Sequence, residues 1–233
     1  MDRGRNPRGL RVAAGWARMA QGCFVVLEGG EGTGKTTQGR LLADWLRDLG
    51  IALVVVREPG STWLGERLRA LILDPAGPGI GREAEMLLFA AARAEAMRER
   101  VAPALERGAV VLSDRFADSS VVYQGYGLGV DVGFVRRVNE VVTGGLRPDL
   151  TVVFDLPCGL AESRRAMRGG ADRIERRPAD YHERVRRAYL GLVDACPARY
   201  RLLDAALPAQ RVQEALRTLV RPLLQERGHW PDS

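Results

Sequence analysis

The sequence predicts an α/β fold in which helices cover both faces of a five-stranded parallel sheet. Two observations support this prediction. Five short runs rich in valine and leucine alternate with longer amphipathic stretches, and a glycine-rich loop directly follows the first run. Such alternation is typical of parallel sheets, because parallel neighbours need a crossover connection, usually a helix. Ligands of these sheets bind at the carboxyl ends of the strands.

The five apolar runs read as buried strands. The first four contain nearly continuous apolar runs, which is typical of strands covered on both faces, and the fifth carries two arginines. In chain order they are CFVVLE, IALVVVRE, AVVLSD, LTVVFDL and RYRLLD.

Apolar residues at helical spacing fill the intervals between these strands. The first such pattern follows the glycine-rich loop and ends at Gly50. A second long pattern extends from Arg82 to about Gly108, and Pro103 within it predicts a bend. Further helices are predicted over 63–73, 132–143, 159–168, 179–195 and 209–226.

Composition excludes several classes of protein. The chain has 233 residues, of which 46% are hydrophobic, so it can bury a substantial core. No apolar run approaches the roughly 18 to 20 residues of a membrane helix, and the first twenty residues lack the apolar run of a secretory signal. The 3 cysteines form no CxxC pair, which favours reduced thiols. We therefore expect a cytoplasmic protein without a membrane partner.

The net charge of +6 is concentrated at the amino end of the chain. Residues 1–20 are rich in arginine and glycine and lack sustained periodicity, so we expect a disordered basic leader there. One compact domain is predicted over 21–228, with a short tail over 229–233. The domain is nearly neutral and has no basic stripe interleaved with aromatic residues, so nucleic acid is not an expected partner.

The glycine-rich loop, GGEGTGKT, fits the phosphate-loop pattern GxxxxGK[ST]. It lies between a strand and a helix, so backbone N–H groups and the helix N-terminus can hold phosphate oxygens. Lys35 reaches the outer phosphates, and the Thr36 hydroxyl can hold Mg²⁺. Lys35 is also the only lysine of the chain, which indicates a role that arginine cannot fill. The predicted ATP-binding residues of this loop are Gly29, Gly30, Glu31, Gly32, Thr33, Gly34, Lys35, Thr36 and Thr37.

Nucleotide binding alone leaves an enzyme and a regulatory switch open. A guanine-nucleotide switch normally reads its base with an Asn-Lys-x-Asp stretch, and this chain has no second lysine to form one. A motor or transporter ATPase needs further sensor motifs and usually a larger chain. A small kinase is therefore favoured.

Six stretches in a specific order extend the phosphate-loop signal over most of the chain, from about Cys23 to Leu219. They are LEGGEGTGKTTQ, REPGST, FAAARAE, DRFADSSVVYQG, an arginine-rich segment ending in DRIE, and LLDAALP. Together they resemble the thymidylate kinase family, bacterial type with lid arginines. The resemblance implies the P-loop kinase fold with a short mobile lid at about residues 164–177. It also implies transfer of the γ-phosphoryl group of ATP to dTMP for dTTP synthesis, Mg²⁺ as cofactor, and a homodimer.

The resemblance assigns residues to the dTMP side of the site. Glu31 faces the sugar and its 3′-hydroxyl, and Arg57 and Arg115 grip the phosphate as planar forks. Phe89 stacks on the thymine and Arg93 donates to a base oxygen. These last two residues are four apart, so they share one helix face.

Further assignments come from the stretch that follows the third strand. Asp114 is implied to hold Mg²⁺ together with Thr36, and Tyr123 disfavours a ribose 2′-hydroxyl. Residues near the dTMP base or sugar are implied to be Ser119, Ser120, Tyr123 and Gln124.

The lid is expected to supply a cation to the transferred phosphoryl group. Some family members carry an arginine directly after the acidic residue of the phosphate loop, whereas this chain has Gly32 there. The candidates are Arg164 and Arg168, assigned to ATP, and Arg173, which the DRIE context favours. The predicted catalytic residues are Lys35, Arg115, Arg173 and Glu31.

The predicted chemistry needs no general base, because the acceptor phosphate is already an oxyanion near neutral pH. Catalysis should depend on aligning two anions and neutralising the charge between them. The nearest alternative is another small P-loop nucleotide or deoxynucleoside kinase, from which the pocket of Phe89, Arg93 and Tyr123 distinguishes this chain. A nucleotide-binding module without turnover is a second alternative, and it would not need a lid.

Overall fold

The computed structural model describes residues 22–231 and contains the predicted parallel sheet. The strand order is β2-β3-β1-β4-β5, and all four neighbouring pairs are parallel. The strands are β1 (Cys23–Gly29), β2 (Leu53–Arg57), β3 (Val110–Asp114), β4 (Leu150–Asp155) and β5 (Tyr200–Asp204). The five predicted strands are therefore present, but the prediction that all are buried is wrong for β2 and β5, which lie at the sheet edges and are partly exposed. The leader predicted over 1–20 lies outside the described residues, as do residues 232–233 of the predicted tail.

Helices occupy the connections between the strands, as the periodicity predicts. They are α1 (Lys35–Asp48), α2 (Trp63–Leu73), α3 (Arg82–Ala96), α4 (Ala102–Glu106), α5 (Ala117–Ser120), α6 (Val132–Thr143), α7 (Cys158–Arg168), α8 (Ala179–Ala195) and α9 (Ala209–Glu226). Side-chain caps begin two of them. Thr62 Oγ1 accepts the N–H of Gly65 at 3.0 Å, and Asp131 Oδ1 accepts that of Phe134 at 2.6 Å.

Side chains of β1 enter two hydrophobic cores, one on each face of the sheet. Val25 and Leu27 pack in the core that α1 and α9 close. Phe24 and Val26 alternate with them and pack against Phe116 and residues 96–105. Both faces of β1 are thus buried, which explains its continuous apolar sequence.

The long pattern from Arg82 to about Gly108 is divided into three helical pieces. α3 ends at Ala96, a π-helical turn covers Met97–Val101, and α4 follows. Pro103 lies in the first turn of α4, directly after this π-helical turn, and has no N–H to donate to a preceding carbonyl. The chain therefore departs from α-helical geometry before the proline, in the wider π-helical turn.

Residues 117–127 form a buried helical segment that no sequence periodicity indicated. α5 passes directly into a π-helical segment, Val121–Gly127. The N–H of Leu128 donates to the carbonyl of Tyr123, five residues back, at 3.1 Å. This bonding changes the spacing of the buried residues, so the α-helical period is lost.

The structure bears on two predictions made from composition, the absence of a membrane helix and the presence of free cysteine thiols. Within residues 22–231, no helix is both long and apolar enough to cross a membrane. The three cysteines Cys23, Cys158 and Cys196 are free thiols, as expected.

The carboxyl ends of the central strands lie side by side. Asp114, the last residue of β3, pairs in register with Leu27 of β1 and with Arg57 of β2. Gly29, which ends β1, pairs with Phe154 of β4. The loops that follow β1, β2 and β3 therefore open at one edge of the sheet.

Candidate active site

The phosphate loop connects β1 to α1 and packs tightly against its surroundings. Gly29 and Gly32 have φ values of 137° and 77°, which side-chain-bearing residues rarely adopt. A Cβ at Gly29 would lie 2.4 Å from the carbonyl oxygen of Phe154, and one at Gly32 would lie 2.6 Å from that of Ala161. The loop thus needs glycine at both positions because β4 and α7 press against it.

Lys35 crosses the mouth of this loop. Its Nζ donates to the carbonyl of Gly30 at 2.6 Å and to Thr33 Oγ1 at 3.1 Å. Burial lowers the pKa of Lys35 to about 8, and nearby Arg115 adds to this effect, which exceeds the opposing influence of Glu31. The ammonium is therefore positioned at the loop and loses its proton more readily than an exposed lysine.

Thr36 and Asp114 adjoin the loop as a pair of oxygen ligands. The Thr36 hydroxyl donates to Asp114 Oδ2 at 2.8 Å. Hydroxyl and carboxylate oxygens suit Mg²⁺, which usually takes its other ligands from water and substrate phosphates. In the described part of the chain, no group of three or more His, Cys, Asp or Glu residues could hold a metal by itself. The pair fits a Mg²⁺ ion that a nucleotide brings with it.

Arg115 and Glu31 meet where the phosphate loop borders a second pocket. Arg115 Nη2 donates to Glu31 Oε1 at 2.6 Å, and the Tyr123 hydroxyl donates to the same oxygen at 2.8 Å. Burial alone would raise the pKa of Glu31, but Arg115 and then Lys35 outweigh it and lower the pKa to about 2. Arg115 has a φ of 74°, a costly conformation that the N–H bond to the Leu27 carbonyl helps to hold.

Glu28 of β1 lies next to Arg115 and was not among the predicted site residues. Its carboxylate accepts bonds from the hydroxyls of Ser119 at 2.6 Å and Tyr189 at 2.7 Å, and from the N–H of Phe116 at 2.9 Å. Burial raises the pKa of Glu28, whereas Arg115, 3.8 Å away, opposes the rise. A charged residue inside an apolar strand was the signal that could have identified it.

The second pocket is a concave site that borders the phosphate loop at Glu31. It contains seven of the residues predicted for dTMP, together with Arg69 and Glu58, which were not predicted. The seven are Glu31, Phe89, Arg115, Ser119, Ser120, Tyr123 and Gln124. The structure thus brings most of the predicted acceptor residues to one pocket beside the phosphate loop.

Arg93 lies beneath this pocket and is 1% exposed. Its Nε donates to Glu58 Oε2 at 2.7 Å, its Nη1 to Asn139 Oδ1 at 2.7 Å, and its Nη2 to the Phe116 carbonyl and Ser120 Oγ, both at 3.1 Å. Burial raises the pKa of Glu58 to about 7 despite this ion pair. Arg93 is therefore fixed in a buried network at the pocket floor.

Arg57 does not join Arg115 in the pocket. Its Nη2 donates to both carboxylate oxygens of Glu66 at 2.9 Å, and its side chain is 44% exposed. The guanidinium that lines the pocket from this side belongs to Arg69, whose Nη1 donates to the carbonyl of Pro59 at 3.1 Å. Arg57 thus lies outside the pocket lining, with a carboxylate as its partner.

The lid arginines point in different directions. Arg164 Nη1 donates to the carbonyl of Ala205 at 2.9 Å, and Arg168 pairs with Glu175. Arg173 turns away from the phosphate loop and donates to Glu85 Oε2 at 2.7 Å. Hence the structure does not bring Arg173 to the loop, where the sequence prediction had it.

The lid arginine nearest the loop is one that the sequence reasoning missed. Arg165 Nη1 lies 3.4 Å from the backbone carbonyl oxygen of Glu31. Arg165 directly follows Arg164 in the chain. Which of the two side chains faces the loop depends on the rotation of α7 about its axis, and the sequence alone does not determine that rotation.

Comparison with known proteins agrees with this geometry. The sequence profile described as "Thymidylate kinase" matches residues 27–216. A thymidylate kinase of Pseudomonas savastanoi pv. phaseolicola is 47% identical over 206 residues, which are 88% of this chain and 98% of that protein. A thymidylate kinase of Deinococcus radiodurans is 47% identical over 211 residues, 91% of this chain and 100% of that protein.

A solved structure is similar over the same region. The crystal structure of thymidylate kinase from Ehrlichia chaffeensis superposes with a TM-score of 0.69 and 29% sequence identity, covering 85% of this chain and 98% of that one. The profile match and the two relatives each span most of the described domain. This chain therefore belongs to the thymidylate kinase family.

Proposed function

We propose that this chain transfers the γ-phosphoryl group of ATP to dTMP in line, with ATP on the phosphate loop and dTMP in the adjoining pocket. Membership of the family makes the chain an ATP-dependent nucleoside monophosphate kinase. The observation that carries the proposal is the contact of Arg115 with Glu31, at the boundary between the loop and the pocket. Substrates on either side of this pair would direct their phosphates toward each other.

On the ATP side, backbone N–H groups of residues 29–37 and the N-terminus of α1 would bind the phosphates. Lys35 would exchange its bonds to Gly30 and Thr33 for phosphate oxygens. Thr36 and Asp114 would hold the Mg²⁺ that accompanies ATP. When bound, this ion neutralises charge on the phosphates.

On the acceptor side, the aromatic ring of Phe89 would stack on the thymine, while Ser120 and Gln124 would lie near the base edge. Arg115, together with Ser119, would contact the dTMP phosphate or sugar. For Arg57 to grip that phosphate, it would exchange the carboxylate of Glu66 for it.

The chemistry follows from charge rather than from proton transfer. The attacking group is a phosphate oxygen that is already ionised, so no side chain has to remove a proton. Lys35 and Arg115 would offset negative charge on the transferred group and the acceptor, and their fixed positions reduce reorganisation during transfer. Closure of the lid would exclude water, which otherwise competes as acceptor.

A lid cation would complete the charge arrangement around the γ-phosphoryl group. Arg165 has the best position for this role because it already lies at the Glu31 carbonyl. Arg164 and Arg168 would steer ATP. Arg173 could take the role first assigned to it only if lid closure broke its pair with Glu85.

The proposal is tested by measuring ADP release with a panel of nucleoside monophosphates, in the presence of ATP and Mg²⁺. We expect dTMP to give the highest kcat/KM, above UMP, CMP and AMP. The Lys35→Met variant, purified in the same way, controls for contaminating kinases. Faster turnover of UMP, CMP or AMP would favour the alternative of another small P-loop nucleotide kinase.

We also propose that the enzyme is a homodimer. Support comes from large apolar side chains on α2 and α3 that are well exposed in the single chain, namely Trp63 at 72%, Leu71 at 54% and Leu87 at 49%. Sedimentation velocity should give the mass of two chains, and Leu71→Glu should lower it. The cytoplasmic location and the absence of nucleic-acid and membrane partners stay predictions.

A further inference from the structure

Glu85 of α3 is a fully buried carboxylate at the back of the acceptor pocket, with 0% exposure. Its two oxygens have different partners. Oε1 accepts from Gln124 Nε2 at 3.0 Å, whereas Oε2 accepts from Arg173 Nη2 at 2.7 Å and from Arg177 Nη2 at 2.5 Å. One side chain thus contacts both the pocket wall and the lid.

The contact with Glu85 decides which way the amide of Gln124 faces. A carboxylate held by two guanidinium groups can only accept hydrogen bonds, so the NH₂ group of Gln124 must point to it. The carbonyl oxygen of Gln124 then points in the other direction. Gln124 is 1% exposed and lines the pocket, and within residues 22–231 no donor forms a hydrogen bond to this oxygen.

An unpaired acceptor in the pocket distinguishes between pyrimidines. Thymine carries an N–H donor at N3, whereas cytosine has an acceptor lone pair at N3 beside its amino group. A fixed carbonyl oxygen accepts from thymine N3–H and repels the cytosine lone pair. Sites with a committed hydrogen-bond partner reject a mismatched analogue strongly, because a buried polar group is left unpaired.

We propose that Glu85 is a positioning residue that fixes the amide of Gln124 and thereby makes the pocket select a base with an N3–H donor over cytosine. The proposal rests on the proposed function, since it assumes dTMP in this pocket. Glu85 itself touches no substrate. It acts through Gln124, and the two lid arginines donate to the other oxygen of the same carboxylate.

Glu85→Gln tests the proposal because a glutamine can both donate and accept. The Gln124 amide could then hydrogen-bond to residue 85 in either orientation. Its carbonyl oxygen would therefore no longer be held facing the pocket. We expect the ratio of kcat/KM for dTMP to that for dCMP to fall by roughly tenfold or more. The matched control is Glu83→Gln, an exposed glutamate on the same helix that pairs with Arg82. It should leave the ratio unchanged.

A second variant keeps the test decisive if Glu85→Gln folds poorly. Glu85→Asp retains the charge that Arg173 and Arg177 need, but its shorter side chain withdraws from Gln124. We expect the same fall in the ratio, with a melting temperature close to that of the wild type. An unchanged ratio in folded Glu85→Asp would overturn the proposal.

A double variant distinguishes an effect of Glu85 through the Gln124 amide from an effect through the lid arginines. If Glu85 acts through Gln124, the Glu85→Gln effect on the dTMP to dCMP ratio disappears in a Gln124→Ala background. If that effect persists there, Glu85 acts through Arg173 and Arg177 and the proposal is wrong. Failure of the proposed function would appear as poor turnover of dTMP by the wild-type enzyme. If the wild type turns over dTMP well, a negative result with the variants counts against the role of Glu85 alone.

Discussion

Arg115 Nη2 lies 2.6 Å from Glu31 Oε1, so a residue that follows β3 neutralises the acidic side chain of the phosphate loop. The two residues are 84 positions apart in the chain. Their contact joins the half of the site that resembles other phosphate loops to the half that is specific to this family.

The Glu31–Arg115 pair should make stability depend on pH. The pKa of Glu31 falls from its usual 4.5 to about 2 on folding, so its ionised form stabilises the folded protein above pH 4.5. This contribution is lost as the pH falls from 4.5 toward 2. Urea unfolding of wild type and Glu31→Gln at several pH values should therefore give midpoints that differ most near neutral pH and converge in acid. A constant difference across pH would contradict the assignment.

Lys35 should set the alkaline limit of activity. Since the pKa of Lys35 is lowered to about 8, the free enzyme loses this charge as the pH rises through that value. We expect kcat/KM for ATP, which reports ionisation of the free enzyme, to decline above about pH 8. Lys35→Met should reduce kcat by about a hundredfold or more at all pH values, with the melting temperature nearly retained. A pH profile that stays flat to pH 10 would contradict the lowered pKa of Lys35, and near-normal kcat in Lys35→Met would show that the ammonium is not needed.

Arg93→Ala should affect stability as well as dTMP use. It leaves the carboxyl group of Glu58 buried without its ion-pair partner, which typically costs about 3–5 kcal/mol. Urea unfolding measures this loss. The same change in a Glu58→Gln background should cost clearly less, because no charge is left behind. In folded enzyme, KM for dTMP should rise more than KM for ATP, and the reverse order would show that the Arg93 network does not support the acceptor pocket.

Two lid arginines can be compared directly. Arg165→Ala should lower kcat by about a hundredfold, since it removes the lid guanidinium that contacts the phosphate loop. Arg173→Ala should lower kcat much less, because Arg173 pairs with Glu85 instead. Arg176→Ala, at an exposed position of the same lid, serves as the control. A larger kcat effect for Arg173→Ala would mean that lid closure breaks its pair with Glu85.

Local sequence accounts for most of the fold. The helices predicted over 63–73 and 132–143 have those bounds in the structure, because the Thr62 and Asp131 caps and the apolar period agree. Residues 117–127 were missed for the opposite reason. Contacts with α3, α6 and α8, rather than any period of their own, make them helical and bury them.

The site residues differ in the same way, because local motifs place some of them and long-range contacts place the others. Lys35, Thr36 and Asp114 were predictable because one contiguous motif and the end of one strand place them. Glu28 and Tyr189 were not, since they meet across 161 residues and have no shared motif.

Gly32 has a consequence for how members of this family can differ from one another. Because α7 rests on the loop at this point, a side chain here would collide with the Ala161 carbonyl in addition to adopting an unfavourable φ. The backbone spacing thus excludes an arginine from the loop for as long as α7 keeps its position. A family member with this cation in the loop instead of the lid would need both a displaced α7 and an arginine at position 32. Either change alone would leave the loop without a cation in place.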